Sequence, residues 1–211
     1  MRLILVRHGE TRWNQENRVL GHTEIELNKK GREQAERLAL ALKDEKVAAI
    51  YSSPLRRARE TAEEIARFHQ VKVVTDDDLK ELDAGELNGL TFQETMERYG
   101  EFLKEWIKDI PSLSMPGGES MAELQERTWP AVERIVRDHP DGVVILVSHS
   151  FAIVSIISRA LGMSLSNFGR LRLSVASISI LNFGAQGISL VLFNDTCHLK
   201  CDVMIHATQW E

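Results

Sequence analysis

Residues 2–9 of the chain, RLILVRHG, decide the fold. An apolar run without polar alternation, closed by charged residues, is typical of a parallel strand that is covered on both faces. Similar runs recur as VAAIYSS at 47–53 and VVILVSH at 143–149, with a weaker one, VKVV, at 71–74. Helical patterns separate these runs, and this order predicts a mostly parallel sheet between two layers of helices.

Several local signals predict where the helices begin and end. Ser53 before Pro54 indicates a helix start, and TFQE at 91–94 and SMAE at 120–123 are capping boxes. Pro130 predicts a kink or break in the helix that follows the second box. The nearly all-apolar run FAIVSIISRAL at 151–161 predicts a core helix.

The C-terminal part predicts a β-hairpin, because ASISILNF and ISLVLFND flank the turn sequence GAQG. We therefore expect an α/β protein, a three-layer α/β/α sandwich whose mostly parallel sheet ends in this hairpin. Residues 82–119 contain no strong strand and are interpreted as a short helical cap insertion in a single domain, 1–211. The edge strand of the hairpin could pair with the same strand of a second copy, so a homodimer is an open alternative.

Composition excludes several functional classes. The 211 residues carry 26 Lys+Arg and 31 Asp+Glu, a formal net charge of −5, which disfavours nucleic-acid binding by bulk charge. No apolar run reaches the ~18 residues of a membrane span. Cys197 and Cys201 suit a reducing compartment, although a local bridge between them stays open. We expect a cytoplasmic protein with no nucleic-acid or membrane partner.

Histidines follow two of the predicted strands, at the edge where open α/β sheets bind ligands. These are His8, beside Arg7, and His149. One histidine is more often structural than catalytic, but two in the same strand-end position favour a site. His69 and His139 lie near predicted helix C-termini, where the helix dipole favours a cation.

Arginines in SSPLRRARETA, at 52–62, lie beside the same edge of the sheet. Guanidinium groups match phosphate oxygens bidentately, and a helix N-terminus adds N–H donors. For Arg56 and Arg59 we favour a solvated helix face paired with nearby glutamates.

The motifs, taken in order, resemble those of the histidine phosphatase (phosphoglycerate mutase-like) superfamily, and in pattern the bacterial broad-specificity and α-ribazole phosphatases. They are VRHGETRWN, GHTEIELNKKGREQA, SSPLRRARETA, LKELDAGELNGLT, PGGES, VSHS and NDTCHL. The similarity covers essentially residues 3–199. A tripeptide RHG alone is weak evidence, whereas the ordered set is specific.

The resemblance implies roles for the catalytic residues. His8 attacks phosphorus and becomes a phosphohistidine, and Glu81 donates a proton to the leaving alcohol, with Glu86 as a rival acid. His149 lies beside the transferring phosphoryl group.

The resemblance also implies the residues that bind the rest of the substrate. Arg7, Asn14 and Arg57 bind the phosphate, and Ser150, which replaces a glycine common in the family, adds a hydroxyl there. Gly21, His22 and Thr23 are expected to bind substrate.

The function that follows is a metal-independent phosphomonoesterase for small phosphorylated metabolites, with no cofactor and no metal. Candidate substrates are α-ribazole phosphate, phosphoserine, sugar phosphates and phosphoglycerates. A cofactor-dependent phosphoglycerate mutase is the alternative, disfavoured because the cap is short and lacks an Arg-Arg pair. A non-catalytic phosphate-binding module is a further alternative. The acidic run 76–78 and the cluster Cys197, His198 and Cys201 are not interpreted as metal sites.

Overall fold

The computed structural model describes residues 1–200, which contain a six-stranded sheet in the order β3-β2-β4-β1-β5-β6. The strands are β1 Arg2–Arg7, β2 Val47–Ser52, β3 Val73–Thr75, β4 Val143–Ser148, β5 Ile178–Gly184 and β6 Gly187–Asp195. The first four are mutually parallel, whereas β5 and β6 form an antiparallel hairpin at one edge. The mostly parallel α/β fold with a terminal hairpin is confirmed.

Helices cover both faces of this sheet. They are α1 Arg12–Gln15, α2 Lys29–Leu42, α3 Arg56–Ala66, α4 Phe92–Lys108, α5 Met121–Asp138 and α6 Ser150–Ala160. Strand β1 shows how the layers form, since side chains alternate across a strand. Leu3 and Leu5 pack in one buried cluster with α5 and α6, whereas Ile4 and Val6 pack with α2 and α3 on the other face.

The capping boxes are confirmed, but the predicted start of α3 is two residues early. The side chains of Thr91 and Ser120 each accept a hydrogen bond from the N3 amide, and the N3 glutamate side chain accepts one from the N-cap amide. Helix α3 begins at Arg56 rather than at Pro54. The Arg56 amide donates to Glu24 Oε2 at 2.9 Å, so a carboxylate from another segment caps this helix end.

The break expected at Pro130 as one of two outcomes is wrong, because α5 is one helix from Met121 to Asp138, whereas a kink there stays a prediction. Proline removes one N–H donor to the carbonyl four residues earlier. Pro130 and Glu126 are both exposed, so water can satisfy that carbonyl. A kink that was not predicted lies in α4, where Tyr99 has non-helical dihedral angles (φ −126°, ψ 17°).

Residues 82–119 contain helix α4 and a 3₁₀ turn at Gly85–Leu87, and no strand is assigned there. Leu82, Leu87 and Met115 join a third buried cluster that reaches α5 and Ala152 of α6. Helix α4 itself buries only Thr95. In the described part of the chain, no helix is long and apolar enough to cross a membrane.

Candidate active site

The two strand-end histidines meet at the carboxyl edge of the sheet. Arg7 pairs with Ser148 in the parallel register of β1 and β4, and the His8 amide donates to the Ser148 carbonyl at 3.0 Å. The ring centroids of His8 and His149 are 5.1 Å apart. Both side chains are buried, with 2% and 0% of their surface exposed. The predicted pair therefore forms the floor of one site.

The imidazole of His8 is held in a defined tautomer. Its Nδ1 lies 2.7 Å from the Gly9 carbonyl oxygen, and a carbonyl only accepts, so Nδ1 carries the proton and Nε2 keeps its lone pair. Burial, reinforced by the charges of Arg57 and Arg7, holds the pKa of His8 well below its ordinary value. His8 is therefore neutral near pH 7, as a nucleophile must be.

Arg57 brings a buried cation to the same place. Its side chain is fully buried, and its guanidinium donates to the carbonyl oxygens of Gly21 at 2.8 Å and Thr23 at 3.0 Å. Burial lowers its pKa to about 10, so it stays charged at neutral pH. Arg7 is anchored similarly, by donation to the Leu173 carbonyl.

Several buried polar nitrogens of this group have no hydrogen-bond partner among residues 1–200. They are Nε of Arg7, Nε of Arg57 and both ring nitrogens of His149. Buried polar groups are normally paired, because an unpaired one costs the full desolvation penalty. Two cations and unpaired donors around a neutral imidazole form a site suited to a tetrahedral anion.

Glu81 is the carboxyl group of the site, and it lies at the N-terminus of α6. Its Oε1 accepts from the amides of Leu82 at 2.9 Å, Phe151 at 3.1 Å and Ala152 at 3.2 Å. These bonds and the arginine charges favour the carboxylate, but burial outweighs them and raises the pKa of Glu81. A buried carboxyl with a raised pKa is suited to donate a proton.

Glu86, the rival acid, lies elsewhere. It is exposed, and its Oε2 accepts from the Tyr99 hydroxyl at 2.7 Å. It does not line the cavity described next, so the structure favours Glu81 as the acid.

A cavity of about 910 Å³ opens above this edge of the sheet. Five of the predicted site residues line it: Arg7, His8, Asn14, Glu81 and Ser150. Asn14 is also the N3 residue of α1 and forms a capping box with the N-cap residue Thr11. Arg57 and His149, both at 0% exposure, are not among the lining residues.

The residues expected to bind substrate directly, Gly21, His22 and Thr23, are not among the lining residues either. Gly21 and Thr23 hold Arg57 through their carbonyl groups. Nε2 of His22 lies 2.7 Å from the Glu81 carbonyl oxygen. Residues 21–23 therefore position Arg57 and Glu81 without lining the cavity.

Sequence reasoning missed the residues that hold the loops of the site. Arg127 of α5 donates to the carbonyl of Glu81 at 2.8 Å and forms an ion pair with Glu119 at 2.6 Å. Asn88 bonds the Gly21 amide and the Thr23 hydroxyl. Arg127 and Glu119 are eight residues apart in sequence, and Glu119 lies before α5 begins, so the pair is not one of the i,i+3 or i,i+4 pairs that a helical pattern reveals.

The charged residues that we interpreted as structural form ion pairs, as expected. Arg56 pairs with Glu26 and Glu60, and Arg59 with Glu63. The acidic run 76–78 pairs with Arg134 and Lys80. Within residues 1–200, no group of three or more metal-ligating side chains is arranged to hold an ion. Cys201 and His206 lie outside the described residues.

Comparison with known proteins agrees with this geometry. The model of the histidine phosphatase superfamily (branch 1) matches residues 3–196. Phosphoserine phosphatase 1 of Hydrogenobacter thermophilus is 34% identical over 199 residues, which cover 94% of each chain.

Solved structures superpose closely on this chain. A phosphoserine phosphatase from Entamoeba histolytica, solved with phosphoserine, is 31% identical with a TM-score of 0.83, covering 94% of this chain and 98% of the other. The α-ribazole phosphatase of Shigella flexneri is 26% identical with a TM-score of 0.84, covering 92% and 96%. The family model spans nearly the whole described chain and includes every residue of the site above, so this protein belongs to branch 1 of the histidine phosphatase superfamily.

Proposed function

We propose that the chain is a metal-independent phosphomonoesterase that transfers the phosphoryl group of a small phosphorylated metabolite to His8 and then to water. The observation that carries the proposal is the state of His8. Its Nδ1 proton is committed to the Gly9 carbonyl at 2.7 Å, and its Nε2 is left as a neutral nucleophile among buried cations. A module that only binds phosphate needs neither this nucleophile nor the acid Glu81.

The first step forms a bond between His8 Nε2 and phosphorus while the ester P–O bond breaks. Charge on the equatorial oxygens is balanced by Arg7 and Arg57, and preorganised donors of this kind supply most of the catalysis in phosphoryl transfer. The leaving alkoxide takes the proton of Glu81. The alcohol then departs and leaves a phosphohistidine and a carboxylate.

The second step reverses the roles. A water molecule attacks phosphorus, the P–N bond breaks and His8 Nε2 recovers its lone pair. The Glu81 carboxylate accepts the proton of the attacking water, so inorganic phosphate leaves and the enzyme returns to its starting state. One carboxyl group with a pKa raised by burial serves as acid and then as base.

A hydrolase fits the cavity better than a phosphoglycerate mutase. A mutase must hold a carboxylate as well as two phosphate positions, which needs additional cations. Among the described residues that line the cavity, Arg7 and Arg18 are the cations, and Arg18 is paired with Glu16 at 2.7 Å. We also propose that residues 82–119 act as the cap of a single catalytic domain.

Hydrolysis of p-nitrophenyl phosphate after dialysis against EDTA tests this function. We expect the purified protein to stay active and His8→Ala to lose at least about 10³-fold in kcat. His139→Ala is the matched control, because His139 contacts Tyr51 near the opposite edge of the sheet and should keep full activity. Loss of activity on chelation that returns with added metal would contradict the metal-free route, and so would a fully active His8→Ala variant.

A further inference from the structure

The cavity has two chemically different zones. The inner zone holds the catalytic groups, including Arg7, His8 and Glu81. The outer zone is walled mainly by apolar side chains from the cap and the start of α6: Leu87, Phe92, Leu103, Trp106, Met115 and Phe151. The total volume of about 910 Å³ lies near the upper end of ordinary ligand pockets. The inner zone alone accommodates a phosphate, so the outer zone receives the alcohol part of the ester.

Among residues 1–200, no unpaired cation lines the outer zone to pair with a carboxylate on the substrate. Arg18, the cation lining the cavity besides Arg7 among the described residues, has its Nε 2.7 Å from Glu16. Its Nη1 donates to the Gly89 carbonyl at 2.9 Å and lies 3.6 Å from Glu94. The charge of Arg18 is therefore balanced by two carboxylates, and its donors tie the cap to the preceding loop.

Glu10, the acidic lining residue besides Glu81 among the described residues, has the wrong sign to bind a carboxylate and is already paired. Glu10 lines the cavity but accepts from Asn28 at 3.0 Å and from Lys30 at 2.8 Å. An amino acid ester would bring both an ammonium and a carboxylate into this zone. Transferring charged groups to an apolar wall without new partners is costly.

An exposed aromatic side chain at the mouth indicates what the outer zone accepts. Phe92, in the first turn of α4, has 72% of its surface exposed and lines the cavity. Covering such a surface with an apolar group releases water and is favourable by about 25 cal/mol per Å². Trp106, near the other end of α4, also lines the cavity with its indole ring.

We propose that this enzyme selects phosphomonoesters whose alcohol part is uncharged and mainly apolar, and that it discriminates against esters with a carboxylate next to the phosphate. The inference rests on the phosphomonoesterase function proposed above. It separates this chain from relatives whose names record phosphoserine as the substrate.

The test compares kcat/KM for hexyl phosphate and O-phosphoserine under the same conditions. An alkyl alcohol is no better a leaving group than the serine hydroxyl, so a preference for hexyl phosphate must arise from binding. We expect hexyl phosphate to be favoured by at least about tenfold, and kcat/KM to rise by up to about fourfold per methylene from ethyl to hexyl phosphate. A flat series, or an equal or greater kcat/KM for phosphoserine, would overturn the proposal.

Variants of α4 locate the preference. Phe92→Ser and Trp106→Ala should each lower kcat/KM for hexyl phosphate about tenfold and reduce that for phosphoserine by a much smaller factor. Ile107→Ser is the control, because Ile107 is 67% exposed on the same helix but does not line the cavity, and it should leave both values unchanged. Equal losses for both esters in Phe92→Ser and Trp106→Ala would refute the assignment. Hydrolysis of either ester by His8→Ala at the wild-type rate would refute the phosphohistidine route of the proposed function instead, whichever ester is preferred.

Discussion

At the scale of single residues, Glu81 joins structure and chemistry in one carboxyl group. The N-cap residue of α6, His149, makes no side-chain capping bond, and Glu81 from another loop accepts the free amides of Phe151 and Ala152 instead. Helix N-termini stabilise negative charge, yet the pKa of this buried group is raised. Burial therefore keeps the proton that catalysis needs, although the helix N-terminus favours the carboxylate.

Replacing this carboxyl group tests its role as an acid. Glu81→Gln retains an oxygen that accepts hydrogen bonds from the same amides, but it has no acidic proton to transfer to the leaving group. We expect kcat/KM for an alkyl phosphate to fall by on the order of 10²–10⁴-fold, and that for p-nitrophenyl phosphate much less, because nitrophenolate leaves without a proton. Glu86→Gln, in the exposed rival, should change neither value. Equal slowing of both esters by Glu81→Gln would contradict the assignment.

The pH dependence of the same comparison has a definite sign. A raised pKa means that Glu81 holds its proton to a higher pH than an ordinary glutamate, and loses it as the pH passes the raised value. Activity toward the alkyl ester should therefore fall with increasing pH relative to activity toward p-nitrophenyl phosphate. The ratio of the two kcat/KM values should become independent of pH in Glu81→Gln. A ratio that keeps the wild-type pH dependence in this variant would count against Glu81.

At the scale of elements, two glycine-containing loops interlock to place the cap. A Cβ on Gly118 would lie 2.3 Å from the Asp83 carbonyl oxygen, and one on Gly85 would lie 2.1 Å from the Pro116 carbonyl oxygen. Gly85 also has φ +50°, a conformation that favours glycine. The amide of Glu119 donates to the Asp83 carbonyl at 3.0 Å. The segments GELNG and PGGES therefore form one structural unit, which begins four residues after Glu81.

Substitution of these glycines tests that unit. The methyl group added in Gly118→Ala would clash with neighbouring backbone atoms. We therefore expect a loss of unfolding free energy of about 1–3 kcal/mol together with a fall in kcat. The control is Gly100→Ala in α4, where the nearest neighbour of a Cβ would be 3.9 Å away. That change should be neutral or stabilise by up to about 1 kcal/mol. Urea unfolding and steady-state kinetics measure both effects, and a Gly118→Ala variant as stable and active as wild type would contradict the interlock.

The sequence predicted the elements well where a local pattern determines them. The apolar runs gave all four parallel strands to within a residue or two, and capping boxes gave the starts of α4 and α5. The start of α3 was missed because its cap comes from Glu24, thirty-two residues earlier. The kink at Tyr99 lies next to Gly100, a helix-weakening residue that the sequence analysis did not use.

At the scale of the whole molecule, the topology explains how an acidic chain builds a site for an anion. The net charge of −5 excludes a broad basic surface, but β1 and β4 are neighbours in the sheet. Their carboxyl ends bring Arg7 and His8 next to His149, and the helix after β2 adds Arg57. Local apolar patterns and the order of motifs predicted this gathering. The loop contacts that orient Arg57 and Glu81 depend on tertiary pairing, which no local pattern encodes.

The central claim is that His8 carries the phosphoryl group during turnover. Rapid mixing of the enzyme with substrate, a denaturing quench and peptide mass spectrometry test it directly. We predict an acid-labile phosphoryl group on the peptide that contains His8, formed within one turnover and absent from His8→Ala. A phosphoryl group on another residue, or one that persists in His8→Ala, would contradict this account.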